Sequence, residues 1–240
     1  MDNVVVTGAS RGLGLAIATR LAAAGYQVVA VARGRSAELD AAIEAAAGAL
    51  RFAAFDLTAI DAIPEFTLAL RRDVGPLYGL VNNAGIGTAG LLATMPTADI
   101  EALLRLNTLA PIVLTKHVVR GMMAQGRGRI VNLASVVAST GYSALSVYGA
   151  SKAAMVGFTR SLAREVGPSG ITVNALAPGF VDTRMTGGLD EGQRARIAAR
   201  SALRRFADVE DVAAMAVHLI GETGRNITGA VMTIDAGASA

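Results

Sequence analysis

Tyr148 and Lys152 stand four residues apart in Tyr148-Gly149-Ala150-Ser151-Lys152, a spacing that sets a phenol and an amine on one face of a helix. The chain has 4 Tyr, and among its 22 basic residues only Lys116 and Lys152 are lysines. Chance would put such a pair in roughly 0.03 chains of this composition, so the spacing points to chemistry. Elsewhere the chain draws its positive charge from Arg. A compact ammonium beside a phenol lowers the phenol's pKa and keeps donors for a second partner. Unaided, a phenol near pKa 10 is a poor proton donor or acceptor at neutral pH. Ser135, in Asn132-Leu133-Ala134-Ser135, follows an apolar run and can offer its hydroxyl to a substrate oxygen; a cap or turn hydroxyl is its plainer reading. Asn107 precedes Pro111 by four residues. Proline has no N–H, so the Asn107 carbonyl loses its helical donor and needs another partner, such as a water near the reacting face, unless the proline only kinks the helix.

A second group of residues suits a phosphate. Thr7-Gly8-Ala9-Ser10-Arg11-Gly12-Leu13-Gly14 follows the first apolar run and opens a helical pattern. Its GxxxGxG spacing differs from GxGxxG but serves the same physics: residues without Cβ let the backbone turn tightly and bring a helix N-terminus against a pyrophosphate. The alternative is a βα turn that merely packs closely. After the second apolar run, where a carboxylate would accept a ribose 2′-OH, the sequence reads Ala32-Arg33-Gly34-Arg35. Arg33, with Arg11, can clasp a 2′-phosphate, which favours NADPH. The competing reading makes both ordinary surface arginines and lets Glu38 reach the ribose.

These residues need elements to position them. Apolar, β-branched runs at Val4–Thr7, Gln27–Ala32, Leu50–Phe55, Leu77–Asn82, Arg129–Leu133, Ile171–Leu176 and Ala230–Ile234 predict seven strands. Helical patterns lie between them near Leu13–Ala24, Ser36–Ala47, Pro64–Asp73, Thr97–Ala124, Ser146–Val166 and Asp208–Ile220. Strands that are apolar throughout are buried on both faces, which predicts an α/β, Rossmann-like doubly wound fold with a seven-stranded parallel sheet and helices on both sides. Ligands of such sheets bind beyond the carboxyl ends of the strands, where the residues above fall. No linker, low-complexity tract or repeat marks a boundary, so residues 1–240 are expected to form a single domain.

Composition removes other chemistries. With 240 residues, 52% hydrophobic and 17% charged, the chain is too apolar for intrinsic disorder. It has no Cys and only His117 and His218 as imidazoles, which argues against disulfides, thiolate chemistry and a metal site. With no Trp and 4% aromatics there is little for a nucleic-acid stacking platform, and the net charge of +3 is spread along the chain rather than massed in one arm. Neither a basic leader nor an apolar run of about 18 residues is apparent, so a cytoplasmic protein without membrane attachment is expected.

Taken in order, the glycine loop, Asp56, Asn82-Asn83-Ala84-Gly85, Asn107, Ser135, Tyr148, Lys152 and Pro178-Gly179-Phe180-Val181-Asp182-Thr183 resemble the short-chain dehydrogenase/reductase family along essentially the whole chain. The resemblance implies that Tyr148 donates or accepts the proton, Ser135 holds the carbonyl oxygen, Lys152 tunes Tyr148 and binds the nicotinamide ribose, and Asn107 supports a water relay. It implies a dinucleotide held by Gly8, Ser10, Arg11, Gly12, Leu13, Gly14 and Arg33, with Asp56 and Leu57 at the adenine and Asn83, Ala84 and Gly85 walling the site. Pro178, Gly179, Val181 and Thr183 are implied at the nicotinamide.

Within the family, Arg164-Glu165-Val166, Gly170-Ile171-Thr172-Val173-Asn174 and Asp235-Ala236-Gly237 look most like bacterial 3-oxoacyl-acyl-carrier-protein reductases. That likeness implies NADPH-dependent reduction of a 3-oxoacyl thioester, linked to acyl carrier protein or coenzyme A, and a homotetramer built on Thr97–Ala124 and Ser146–Val166. Ser169 departs from the Arg those enzymes often have there, leaving Arg127 and Arg129 to meet an acidic carrier protein. Other carbonyl reductases, an alcohol or polyol dehydrogenase, and a dinucleotide sensor without turnover are the alternatives. Residues 184–206 are expected to form a lid over the cleft.

Overall fold

The computed structural model describes residues 1–181 and 190–240. Seven strands form one parallel sheet: β1 (Asn3–Thr7), β2 (Gln27–Ala32), β3 (Leu50–Ala54), β4 (Leu77–Asn82), β5 (Gly128–Leu133), β6 (Ile171–Pro178) and β7 (Val231–Ile234). Their order is β3-β2-β1-β4-β5-β6-β7. The chain winds outward from β1 to one edge, returns to set β4 beside β1, and proceeds to the other edge. The strand order therefore reverses between β1 and β4, and a crevice opens at their carboxyl ends.

Strand geometry explains the two cores. Val4, Val5 and Val6 are all fully buried, and successive side chains point to opposite faces. Val4 and Val6 pack with Ile17 and Leu21 of α1 (Gly12–Ala23), Leu39 of α2 (Ala37–Ala45) and Leu219 of α8 (Val209–Ile220). Val5 packs on the other side with Leu70 of α3 (Ile63–Val74), Leu114 and Val118 of α5 (Ala110–Gln125) and Leu162 of α6 (Ser146–Val166). Burial on both faces is why these strands read as unbroken apolar runs.

Two elements differ from the sequence expectation. The helix expected at Thr97–Ala124 begins as α4 (Thr97–Leu104), passes through a π-helical turn at Arg105–Leu109 and continues as α5. In that turn the Ala110 N–H bonds to Arg105 O, five residues back. Pro111 has no N–H to give Asn107, so the ladder changes register there. The run Thr97–Gln125 has the length and apolarity to cross a membrane, with a mean hydropathy of 1.2, but Leu103, Leu114, Val118 and Met122 are buried within the fold. The second difference is α7 (Glu191–Ala198), inside the segment expected as a lid. A reciprocal cap starts it: Gln193 N–H donates to Asp190 Oδ1 at 2.7 Å, and Asp190 N–H to Gln193 Oε1 at 3.0 Å.

Candidate active site

The crevice is assembled at the end of β1. Thr7 Oγ1 accepts from the N–H groups of Asn83 and Ala84 at 3.0 Å each, and Asn83 Nδ2 donates to Thr7 O at 2.9 Å. The glycine loop is thereby stapled to the segment after β4. Gly8 has φ of 66°, and a Cβ there would lie 2.8 Å from Ala84 Cα, so only glycine fits. Gly14 is equally hemmed in, by Asn83 Nδ2 and Gly8 O. Gly12, with φ of 55°, differs: a Cβ there would meet no heavy atom within 4 Å, so the loop's middle faces open space. Arg11 precedes α1 without a side-chain cap, and no acidic residue lies in the first helical turn. The N-terminal N–H groups and the positive end of the helix dipole are therefore left for an anion.

Around this loop, Ser36 caps α2 and donates to Ser10 O at 2.5 Å. Arg35 is engaged by Asp40 and lies 5.9 Å over the Phe52 ring. Arg33 is exposed and faces Asp56 electrostatically. The Asp56 carboxyl is held below its ordinary pKa first by the Thr58 N–H, at 2.9 Å, then by the Thr58 hydroxyl, with Arg33 adding to both. Leu57 is buried beneath.

The reacting groups meet beyond β5. Ser135 Oγ contacts Pro178 O and the Val137 N–H at 3.4 Å each, and its hydroxyl acts to lower the pKa of Tyr148, which sits in the first turn of α6. One turn on, Lys152 is buried, and its Nζ donates to Leu133 O at 2.8 Å while standing 5.7 Å from the centre of the Tyr148 ring. Burial lowers the Lys152 pKa to about 8. Burial raises Tyr148 above its ordinary value, and the Ser135 hydroxyl opposes that rise. Lys152 still carries its proton at neutral pH, with the Leu133 carbonyl taking one of its three donors.

Asn107 joins this group through its side chain. Its Oδ1 accepts from the Ile86 N–H at 2.9 Å, and its Nδ2 donates to Ile86 O at 2.8 Å and to Ser151 Oγ at 3.3 Å. A Cβ at Gly85 would come within 3.1 Å of Asn107 Oδ1 and 3.7 Å of Lys152 Nζ. On the far side Gly179 N–H bonds to Ile234 O at 3.0 Å, and buried Val181 bridges to Ala207. Thr183, and residues 184–189 of the expected lid, lie outside the described residues.

Several supporting residues escaped the sequence reading. Asn82 Nδ2 donates to Thr115 Oγ1 on α5 and to Asn132 Oδ1 on β5, and Asn132 Nδ2 to Thr159 Oγ1 on α6, all between 2.8 and 2.9 Å and all buried. This network fixes the strand ends under Asn83 and Ser135 to the helix that carries Tyr148 and Lys152. Its signal in the sequence was an Asn inside each of two apolar strands, a costly placement unless it is hydrogen-bonded. Arg129 needs the opposite correction: it is 7% exposed against the Tyr78 ring and so is withdrawn from an acidic partner, whereas Arg127, 5.0 Å over the same ring and paired with Asp2, keeps about half of its side chain exposed.

A parallel sheet with a glycine loop after β1 and a Ser–Tyr–Lys group after β5 defines an oxidoreductase class that the comparisons with known proteins identify. Residues 2–194 match the short chain dehydrogenase family model, and the chain belongs to that family. It is 36% identical over 235 residues to the 3-oxoacyl-[acyl-carrier-protein] reductase FabG of Escherichia coli, covering 97% of this chain and 95% of that one. It is 37% identical over 232 residues to carbonyl reductase family member 4 of Xenopus tropicalis, again 97% of this chain and 95% of the other. Among solved structures, a gluconate 5-dehydrogenase from Burkholderia cenocepacia, in complex with NADP and tartrate, superposes with a TM-score of 0.94 at 28% identity, covering 99% of this chain and 95% of that one.

Proposed function

We propose that this protein is an NADPH-dependent carbonyl reductase acting on a 3-oxoacyl thioester, linked to acyl carrier protein or coenzyme A, and forming the 3-hydroxy product. The observation that supports it most is the convergence of Ser135, Tyr148 and Lys152 beyond β5, with Lys152 Nζ 5.7 Å from the centre of the Tyr148 ring and close to Gly85 at the crevice. A phenol in that position can donate a proton to a carbonyl oxygen held by Ser135.

The open face of Gly12 and the uncapped N-terminus of α1 suit a dinucleotide pyrophosphate. Bound there, the dihydronicotinamide would supply a hydride, with its two electrons, to the carbonyl carbon. Ser135 Oγ would hold the carbonyl oxygen. Tyr148 Oη would pass its proton to that oxygen as the carbonyl π pair moves onto it, so carbon and oxygen each gain a hydrogen and the ketone becomes an alcohol. Lys152 lies within reach of both the phenol and the space beside Gly85, where a ribose would sit. Arg11 and Arg33 would hold the 2′-phosphate that distinguishes NADPH from NADH.

The same reading places the enzyme in the cytoplasm, in fatty acid biosynthesis, as a single domain over residues 1–240 assembled into a homotetramer. Similarity to a gluconate 5-dehydrogenase supports a second reading, a polyol dehydrogenase. Kinetics with acetoacetyl thioesters and 5-ketogluconate, each with NADPH and NADH, separates the two. Tyr148→Phe should lower kcat for reduction by about 10²–10⁴-fold while NADPH still binds, as read by fluorescence. Retention of more than about a tenth of kcat would remove Tyr148 from the proton-transfer role.

A further inference from the structure

Aromatic residues are scarce in this chain, 4 Tyr and 6 Phe in 240 residues, and three of them meet outside both cores. Tyr142 stands edge-on to Phe180 with ring centres 6.1 Å apart, and Phe180 is 6.1 Å from Phe206. Each ring is only partly buried, so aromatic surface is left open, which a purely structural cluster would cover.

Hydrogen bonds link the stretches that carry the three rings to the segments around the reacting group. Phe180 lies two residues beyond Pro178, whose carbonyl contacts Ser135 Oγ. Tyr142 belongs to the segment joining Ser135 to Tyr148, and that segment is tied to the loop after β4 by Gly90 N–H to Ala144 O at 2.9 Å. Phe206 is fixed by the N–H of Ala207 donating to Phe180 O at 3.1 Å. Arg194 of α7 sits 5.1 Å from the centre of the Phe206 ring, over one of its faces. The rings thus come from three separate stretches of chain and meet at Phe180, two residues from the Pro178 carbonyl that Ser135 Oγ contacts.

We propose that Tyr142, Phe180 and Phe206 form the wall that receives the substituent on the reacting carbonyl, selecting an extended apolar or aryl group over a polyhydroxylated chain. The proposal rests on the reading of Ser135 and Tyr148 as the carbonyl-reducing pair. Hydroxyl groups pressed against such a wall would give up water without gaining partners, whereas an apolar chain loses nothing there and covers the open ring faces.

Steady-state reduction of ethyl acetoacetate, ethyl 3-oxooctanoate, ethyl benzoylacetate and 5-ketogluconate tests this in the full chain. The unaltered enzyme should favour the octanoate and benzoyl esters over acetoacetate in kcat/KM and should take 5-ketogluconate worst. Phe206→Ala and Tyr142→Ser should each cut the benzoylacetate-to-acetoacetate ratio of kcat/KM about tenfold, chiefly through KM, within the range that apolar pocket contacts give. Phe206→Leu, which keeps an apolar surface, should restore part of the octanoate preference, and nucleotide fluorescence shows that each variant is folded. A preference for 5-ketogluconate, or an equal loss on all four substrates, overturns the wall while leaving the reducing pair intact. Absence of turnover with every ketone, with NADPH still bound, overturns the reducing pair and the wall together.

Discussion

Lys152 is an ammonium that folding makes uncomfortable. Its pKa falls to about 8 against roughly 10.4 in an unfolded chain. Below pH 8 both states hold the proton and the penalty for burying it is fully present. Between about pH 8 and 10 the unfolded chain binds more protons, so this group makes stability rise with pH. Above about pH 10 the phenols of Tyr26, Tyr78 and Tyr148, all raised by desolvation, reverse the trend. Urea midpoints at about pH 7.5 and 9.5 should therefore show a gain on the order of 2 kcal/mol that Lys152→Met lacks. At the other end of the crevice, Arg33→Asp should weaken NADPH about ten- to a hundredfold and leave NADH equal or better bound, because the new carboxylate repels a 2′-phosphate and accepts from a 2′-OH. Fluorescence titration at low and high salt reads this directly. Equal responses of the two nucleotides would return Arg33 to the ordinary surface.

At the scale of elements, Pro111 sets the π turn that carries Asn107. Pro111→Ala returns the missing N–H and favours a regular α-helix. Asn107 should then turn away from Ile86, lowering kcat about ten- to a hundredfold with the melting temperature equal or higher, since a small misplacement in a reacting site costs that much. Pro111 itself was visible in the sequence, and so was the loss of a donor, but the resulting register change was not. The strands were legible because burial on both faces writes an apolar run, and the glycine loop because turn and close approach exclude side chains at Gly8 and Gly14. The helix α7 left no periodic signal, since none of its residues is buried. The Asn82–Asn132–Thr159 network was illegible for another reason: its partners lie 50 and 27 residues apart and become neighbours only through strand order. Arg129 misled in the same way, as a charge in the sequence that the fold places under Tyr78.

For the whole molecule, Leu104 and Leu109, 39% and 43% exposed on the Thr97–Gln125 run, leave apolar surface on the helices expected to join subunits. Light scattering at micromolar concentration should give about four times 24.4 kDa, and Leu109→Glu should shift the population toward smaller species. A monomer in the unaltered protein would sink the tetramer. The Thr7 hydroxyl has a wider consequence. By accepting from both Asn83 and Ala84 it joins the two walls of the crevice through the protein's own hydrogen bonds, a form of preorganisation that lowers the cost of binding. Arg11 and Arg33 lie outside that clasp, on the rim. A substitution at either arginine therefore alters the charge at the mouth of the crevice without touching the hydroxyl that holds its two walls together.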